Sequence, residues 1–261
     1  MMLLRVGNLS KSFDGFKAVD GVTFEVPAGR LVALIGPNGA GKSTCFNMVN
    51  GQLKPTSGSI RFNNQEIAGM RPRDIWRLGV GRTFQIAATF NSMTVIENVQ
   101  IALASRDKHL LGLWKPASAS HTDEAMALLE QVGMAGHARR ACGVLAYGDV
   151  KRVELAIALA NQPKLLLMDE PTAGMAPNER NDLMALTKQL VKERDIGVLF
   201  TEHSMDVVFE YADKLIVLAR GKLIAQGDAE TVRNHAHVQE VYLGTGKSFT
   251  PRATFAGGVR R

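Results

Sequence analysis

The chain of 261 residues has only two cysteines, Cys45 and Cys142. They show no paired spacing and no histidine cluster lies near them, which argues against a disulfide framework and against a structural zinc site. No apolar run approaches the ~18 residues that a membrane-spanning helix needs, and the apolar stretch at the start is too short for a signal peptide. We therefore expect reduced thiols and a cytoplasmic protein.

The part of the chain that is expected to fold has a small net positive charge. The formal net charge is +6, but residues 245–261 contain no acidic residue and carry four of these charges, on Lys247, Arg252, Arg260 and Arg261. A duplex-binding domain would concentrate its basic residues on a folded face, so the charge gives no argument for nucleic acid as a partner. The composition of residues 245–261 predicts a flexible basic tail.

Short apolar runs recur along the chain at residues 31–35, 165–168, 197–200 and 214–218. The first is continuous, as in a strand that is buried on both faces, and helical patterns separate the last three. This alternation is typical of an α/β fold with a parallel sheet and helices on its faces. A hairpin that turns at Gly221 is predicted directly after the last run.

The strand pattern is interrupted between residues 86 and 160. Helical periodicity takes over there, most clearly at residues 123–132, with a possible capping box that starts at Ser120. We interpret residues 86–160 as an inserted helical subdomain. The α/β core is then formed by residues 1–85 and 161–244.

Residues 36–44, GPNGAGKST, match the pattern G-x-x-x-x-G-K-[ST] between a predicted buried strand and a predicted helix. The glycines let the backbone curl so that its N–H groups point at phosphate oxygens, and the following helix adds its positive N-terminal end. Lys42 would neutralise phosphate charge and the Ser43 hydroxyl would bind Mg²⁺. The alternative is an ordinary glycine-rich turn. The residues predicted to bind nucleotide are Gly36, Asn38, Gly39, Ala40, Gly41, Lys42, Ser43 and Thr44.

Two acidic residues, Asp169 and Glu170, follow the apolar run at residues 165–168. The ends of parallel strands are where such sheets bind ligands. Asp169 would orient Mg²⁺ or its water, and Glu170 would polarise the water that attacks the γ-phosphate. Two acids at this place could also be a helix cap or a surface turn, but the phosphate-loop motif upstream favours a catalytic pair.

Two more polar residues follow predicted strands. His203 comes after the run at residues 197–200, where an imidazole could hydrogen-bond the γ-phosphate or the attacking water. Gln85 follows a probable strand at residues 80–84 and could reach the metal through its amide oxygen. A lone histidine is more often structural, and a lone glutamine is more often solvated.

Taken together and in order, these residues resemble the nucleotide-binding subunit of ABC transporters over residues 3–244. The resemblance implies an α/β P-loop NTPase with a RecA-like parallel sheet core, an N-terminal antiparallel β subdomain and an inserted α-helical subdomain, with ATP and Mg²⁺ as cofactors. It further implies that Phe13 stacks on adenine, although an ordinary core aromatic is the alternative. It also implies that Gln85 belongs to the Q-loop and that His203 is the switch histidine. Residues 145–149 would then be the signature and residues 173–176 the D-loop.

The signature resemblance implies that Ala146, Tyr147, Gly148 and Asp149 contact the nucleotide of an opposing subunit. The family's common form is L-S-G-G-Q, so Ala146 replaces a serine whose hydrogen bond to a charged acceptor is worth ~1.5 to 3 kcal/mol. Ala176 stands where the family's D-loop has an aspartate. The loss of the serine hydroxyl predicts a weaker composite site, and the alanine at 176 is interpreted as the mark of a subgroup of the family.

The motif variants look like the branched-chain amino acid importer branch. That resemblance implies permease subunits in the membrane, a second ATPase subunit (a different chain or a second copy), a periplasmic or extracellular substrate-binding protein, and a place on the inner face of the membrane. The alternatives are an importer of related amides, an exporter such as that for lipopolysaccharide, a soluble ABC ATPase acting on DNA or the ribosome, and a P-loop kinase. The variants are at residues 83–85, 93–98, 145–149, 173–177 and 241–244.

Overall fold

The computed structural model describes residues 1–83, 89–107 and 121–243, and these form two sheets with helices packed around them. One sheet has the strand order β2-β1-β4-β5 and is antiparallel, and the other has the order β10-β9-β3-β8-β7-β6. The strands are β1 (Met2–Phe13), β2 (Phe16–Pro27), β3 (Leu31–Ile35), β4 (Ser57–Phe62), β5 (Gln65–Glu66), β6 (Val80–Thr83), β7 (Leu165–Asp169), β8 (Gly197–Thr201), β9 (Lys214–Ala219) and β10 (Lys222–Gly227).

Helices connect the parallel strands of the larger sheet. Three of them, α3 to α5, follow one another in the chain between β6 and β7. The helices are α1 (Lys42–Val49), α2 (Pro72–Arg77), α3 (Val95–Arg106), α4 (Thr122–Gln131), α5 (Tyr147–Leu159), α6 (Pro177–Arg194), α7 (Met205–Tyr211), α8 (Ala229–Arg233) and α9 (Ala236–Leu243).

The predicted α/β fold is confirmed, and β3 shows why its sequence is apolar without interruption. Leu31, Ala33 and Ile35 point into one hydrophobic core, while Val32 and Leu34 point into a second core on the opposite face. The second core is shared with α1 and the antiparallel sheet. Because alternate residues of a strand point to opposite faces, a strand between two cores has no polar side. Each of the buried leucine, isoleucine and valine side chains of β3 contributes roughly 1.5 to 3 kcal/mol through burial.

The register of the parallel strands brings their carboxyl ends to one edge of the sheet. Strand β8 lies between β3 and β7, with Thr201 paired to Leu34 on one side and to Asp169 on the other. The loop after β3, the residues after β7 and the residues after β8 therefore leave the sheet side by side.

One detail of the described structure differs from the sequence prediction. The helix predicted at residues 123–132 is α4, but the capping box from Ser120 is wrong, because the N-cap is His121 with a left-handed backbone (φ 64°) and no side-chain cap hydrogen bond. Ser120 and Gln85 lie outside the described residues, as does the tail at 245–261. The predicted hairpin turn is present at Gly221, where β10 runs antiparallel to β9.

Within the described ranges, no helix has both the length and the apolar character needed to cross a bilayer.

Candidate functional site

The phosphate loop leaves the end of β3 under tight steric control. A side chain at Gly36 would place its Cβ 2.2 Å from the carbonyl oxygen of Leu218, so only glycine fits beside β9. At Gly41, the N-cap of α1, a Cβ would lie 2.5 Å from the carbonyl oxygen of Ala18. These close approaches hold the loop against the neighbouring backbone and aim the first turn of α1 at the sheet edge.

Lys42 is the first residue of α1, and its side chain folds back over the loop. Its Nζ donates to the carbonyl oxygens of Gly36 at 2.7 Å and Pro37 at 3.1 Å. Burial lowers the pKa of the Lys42 ammonium, while the nearby carboxylates of Glu170 and Asp169 act in the opposite direction. The loop, the lysine and the acidic pair therefore form one electrostatic unit.

Asp169, at the end of β7, is held by its neighbours in the sheet. Its Oδ1 accepts a hydrogen bond from the Thr201 hydroxyl at 2.7 Å, and its Oδ2 lies 3.5 Å from the Arg82 guanidinium. The Arg82 guanidinium also donates to Gln52 at 2.8 Å. These contacts orient the Asp169 carboxylate towards the sheet edge.

Glu170 turns away from the strand because its backbone adopts a left-handed conformation (φ 47°). Its amide N–H donates to the hydroxyl and the carbonyl oxygen of Thr201, at 3.1 and 3.2 Å. Such a conformation costs a non-glycine residue of order 1 kcal/mol or more, and the contacts to β8 hold it in place. The carboxylates of the two adjacent acidic residues therefore have different partners.

The carboxylate of Glu170 meets the imidazole of His203. Its Oε1 lies 2.8 Å from His203 Nε2, and the histidine side chain is 47% exposed while that of Glu170 is 21% exposed. A carboxylate paired with an imidazole beside a buried lysine can accept a proton from water and hold a phosphate oxygen. The structure thus brings together four of the predicted residues: Lys42, Asp169, Glu170 and His203.

Three supporting residues are absent from the sequence prediction: Arg82, Thr201 and Glu202. Thr201 is a polar residue at the end of an apolar run, so its position at a parallel strand end was a usable signal. Glu202 is 5% exposed, and neither its burial nor its contacts can be read from the sequence. The same holds for the contact of Arg82 with Asp169.

The remaining predicted residues differ in how far they are exposed. Phe13 ends β1 and is 44% exposed, so it is not an ordinary core aromatic. Asn38, Gly39 and Ser43 are exposed, Gly41 and Thr44 are half-buried, and Ala40 is buried.

The signature segment lies elsewhere, at the start of α5. Ala146 is the N-cap of this helix and Tyr147 is 43% exposed. A Cβ at the buried Gly148 would lie 3.1 Å from the Glu179 carboxyl carbon of α6. The segment therefore packs against the start of α6, directly after residues 173–176. Asp149 follows in the first turn of α5.

The chemistry of the available donors suits a magnesium ion. The Ser43 hydroxyl is exposed beside Lys42, and Asp169 offers a carboxylate at the same sheet edge. Across the described ranges, no group of three or more His, Cys, Asp or Glu side chains is arranged as a metal cage. Mg²⁺ needs no such cage, because it takes most of its ligands from phosphates and water.

Two family descriptions match the chain. Residues 19–173 match the ABC transporter family, and residues 222–248 match the branched-chain amino acid ATP-binding cassette transporter family.

Named relatives agree with these matches. The high-affinity branched-chain amino acid transport ATP-binding protein BraF of Pseudomonas aeruginosa is 40% identical over 93% of this chain and 98% of its own length. LivG of Escherichia coli, with the same description, is 40% identical over the same shares.

Solved structures agree as well. One described as the ADP conformation of an ATP-binding cassette of an ABC transporter is 34% identical, with a TM-score of 0.83, and the match covers 94% of this chain and 99% of that one. A nucleotide-free ATP-binding cassette from an ABC transporter gives a TM-score of 0.82 at 35% identity over 93% of this chain and 99% of that one. The chain belongs to the ABC transporter family, as an ATP-binding, ATP-hydrolysing cassette of the branched-chain amino acid transport type.

Proposed function

We propose that this cassette drives the uptake of branched-chain amino acids, or of closely related amides, through a membrane permease. The names of its relatives support this substrate class, since BraF and LivG are both described as branched-chain amino acid transport ATP-binding proteins. The observation that carries the catalytic part is the 2.8 Å contact between Glu170 and His203 at the edge that also holds Lys42.

In the proposed site the phosphate loop binds the triphosphate of ATP. Backbone N–H groups of the loop and the Lys42 ammonium would face the phosphate oxygens, and the exposed ring of Phe13 would stack on adenine. Ser43, Asp169 and, outside the described residues, Gln85 would hold Mg²⁺, which neutralises phosphate charge when bound.

Glu170 then serves as the base that takes a proton from the attacking water. The backbone of Glu170 is held by its contacts with Thr201, which positions the carboxylate. His203 lies within hydrogen-bond distance of Glu170, where it would hold the γ-phosphate or the water. Asp169, whose carboxylate accepts a hydrogen bond from the Thr201 hydroxyl, would be a ligand of the ion and not the base.

We further propose that the site is completed by a second ATPase subunit. Ala146, Tyr147, Gly148 and Asp149 lie at the start of α5 and would contact the nucleotide held by the opposing phosphate loop. Two such nucleotides would close the pair, and hydrolysis would reopen it. The departure of the signature from the family's common form, at Ala146 and Tyr147, favours a different chain as the partner.

A groove gives the permease a place to dock. A cavity of about 520 Å³ lies between α2 and β6 on one side and α3 and α5 on the other, and its apolar lining includes Trp76, Ile101 and Ile157. The residues of α3 to α5 belong to the helical subdomain proposed at 86–160, and the core comprises 1–85 and 161–244. Docking on the inner face of the membrane would let movement of this subdomain reach the permease.

The decisive test is transport by a defined complex. The chain is purified with the permease subunits, the second ATPase and the substrate-binding protein from the same source, and the complex is placed in liposomes with labelled leucine. ATP-dependent leucine uptake that requires this chain supports the proposal. Hydrolysis without uptake of leucine, isoleucine, valine or small amides would refute the substrate class while leaving the ATPase intact.

A further inference from the structure

The buried carboxylate of Glu202 joins the two loops that carry Glu170 and His203. Glu202 comes directly after β8 and is 5% exposed. A buried carboxylate is costly unless several donors surround it, so its partners reveal what holds it in place.

Both oxygens of this carboxylate accept hydrogen bonds, each from a different loop. Oε1 accepts from the backbone N–H of Thr172 at 3.1 Å and from the Thr172 hydroxyl. Oε2 accepts from the backbone N–H groups of His203 at 2.9 Å and Ser204 at 3.2 Å. Thr172 follows Glu170 by two residues, so one side chain ties together both segments of the catalytic pair.

The arrangement depends on a carboxylate and not merely on a polar group of that size. All four partners are donors, and a carboxylate offers lone pairs on both oxygens. A glutamine in the same rotamer would keep one acceptor oxygen and turn an NH₂ group towards two donors. One of the two loops would then lose its anchor and move.

We infer that Glu202 is a positioning residue for ATP hydrolysis, which sets the distance between the carboxylate of Glu170 and the imidazole of His203. This inference rests on the proposed roles of those two residues. Glu202 holds His203 directly, because its carboxylate accepts a hydrogen bond from the His203 backbone N–H. It holds Glu170 indirectly, through its hydrogen bond with Thr172. The adjacent Ser204 is held in addition by Arg180 of α6, at 3.0 Å.

The test compares Glu202→Gln with the native chain in the assembled transporter. We expect kcat for ATP hydrolysis to fall about 10- to 100-fold, because a displacement near 1 Å has effects of this size. We expect the KM for ATP to stay within about twofold, because the phosphate loop is untouched. Thr172→Val removes one donor and should lower kcat in the same direction by a smaller factor.

Thr187→Val is the matched control for loss of a buried hydrogen bond. The Thr187 hydroxyl donates to the Leu183 carbonyl within α6 at 2.8 Å, and the residue is 1% exposed. We expect its thermal unfolding midpoint to fall while kcat is unchanged. The imidazole NMR signals of His203, recorded on the full chain, should shift in Glu202→Gln and not in Thr187→Val.

A native kcat in Glu202→Gln overturns the inference. Unshifted His203 signals also overturn it, if kcat falls no further than in Thr187→Val and the two variants have the same thermal unfolding midpoint. Failure of the proposed function is distinguished by Glu170→Gln. If that variant hydrolyses ATP normally, the base is wrongly assigned. If it is inactive while Glu202→Gln is normal, only the positioning role is lost.

Discussion

The Oε1 atom of Glu170 and the Nε2 atom of His203 lie 2.8 Å apart, although the two residues are 33 positions apart in the chain. Glu170 follows β7 and His203 follows β8, which are adjacent and parallel. The contact therefore depends on the sheet register, and a change in either loop would disturb it. The two atoms are within hydrogen-bond distance, so each side chain restrains the orientation of the other.

Glu170→Gln should stop hydrolysis while leaving ATP binding intact. The amide keeps the shape of the carboxylate but cannot accept a proton from water, and loss of a general base typically costs 10²- to 10⁴-fold, so a fall in kcat of about this size is expected. Phosphate release by the assembled transporter measures the rate, and binding of a fluorescent ATP analogue measures retention of the nucleotide site.

The same substitution at Glu193, which is exposed near the end of α6, is the matched control. Glu193→Gln should hydrolyse ATP at the native rate. Turnover by Glu170→Gln at a rate close to that of this control would be incompatible with its assignment as the base.

Alanine at Gly36 and at Gly39 should destabilise the fold unequally. At Gly36 the new Cβ would lie 2.2 Å from a backbone oxygen of β9, so we expect a loss of about 3 kcal/mol or more in the free energy of unfolding. At Gly39 no atom lies within 4 Å and only the positive φ of 77° is strained, which predicts about 1 to 2 kcal/mol. Urea unfolding of both variants checks the difference, and equal losses would contradict it.

The ion pair between Arg106 of α3 and Glu124 of α4 should stabilise the protein at neutral pH and lose this effect in strong acid. The two guanidinium nitrogens lie 2.6 and 2.9 Å from the two carboxylate oxygens. The hydrogen bonds from Arg106 lower the pKa of Glu124 below its ordinary value of 4.5, so this contribution is complete above pH 4.5 and is lost as pH falls through the lowered value.

At pH 7, Glu124→Gln should reduce the free energy of unfolding by less than about 1 kcal/mol, because the pair is partly exposed. The difference from the native chain should shrink as the pH falls below 4.5. Urea unfolding at several pH values measures it, with Glu130→Gln, an exposed position of α4, as the control. A difference that grows in acid would show that the sign is wrong.

Ala146→Ser should stabilise the chain in the absence of nucleotide. Ala146 is the N-cap of α5, has an extended backbone and provides no side-chain cap. A serine hydroxyl there can accept a hydrogen bond from the first turn, which predicts a gain of about 1 kcal/mol in the free energy of unfolding. Ala135→Ser, within a short 3₁₀ turn, serves as the comparison. An unchanged unfolding energy in Ala146→Ser would refute the capping argument.

The parts of the site that are contiguous in sequence were predictable from it. Residues 36–44 carry their own geometry, since the glycines, the lysine and the hydroxyl act within one loop and one helix start. The acidic pair at 169–170 was predictable because an apolar run of strand length ends there. The same logic located His203, although one residue type at one position is a weak signal.

What sequence reasoning missed depends on neighbours that are distant in the chain. The contact of Arg82 with Asp169 spans 87 residues, and the hydrogen bond from Thr172 to Glu202 spans 30. The capping box predicted from Ser120 was wrong for the opposite reason. The local sequence pattern does not show that the backbone becomes left-handed at His121, which is the N-cap.

The amino-acid sequence by itself determined the α/β fold, the phosphate loop and the identity of the acidic pair, because periodicity and local motifs express forces that act within a few residues. Only the tertiary structure decided that Glu170 faces His203 and that Glu202 anchors both loops. Those relations arise from the alignment of β7 and β8, and this alignment is set by the packing of two hydrophobic cores against opposite faces of one sheet.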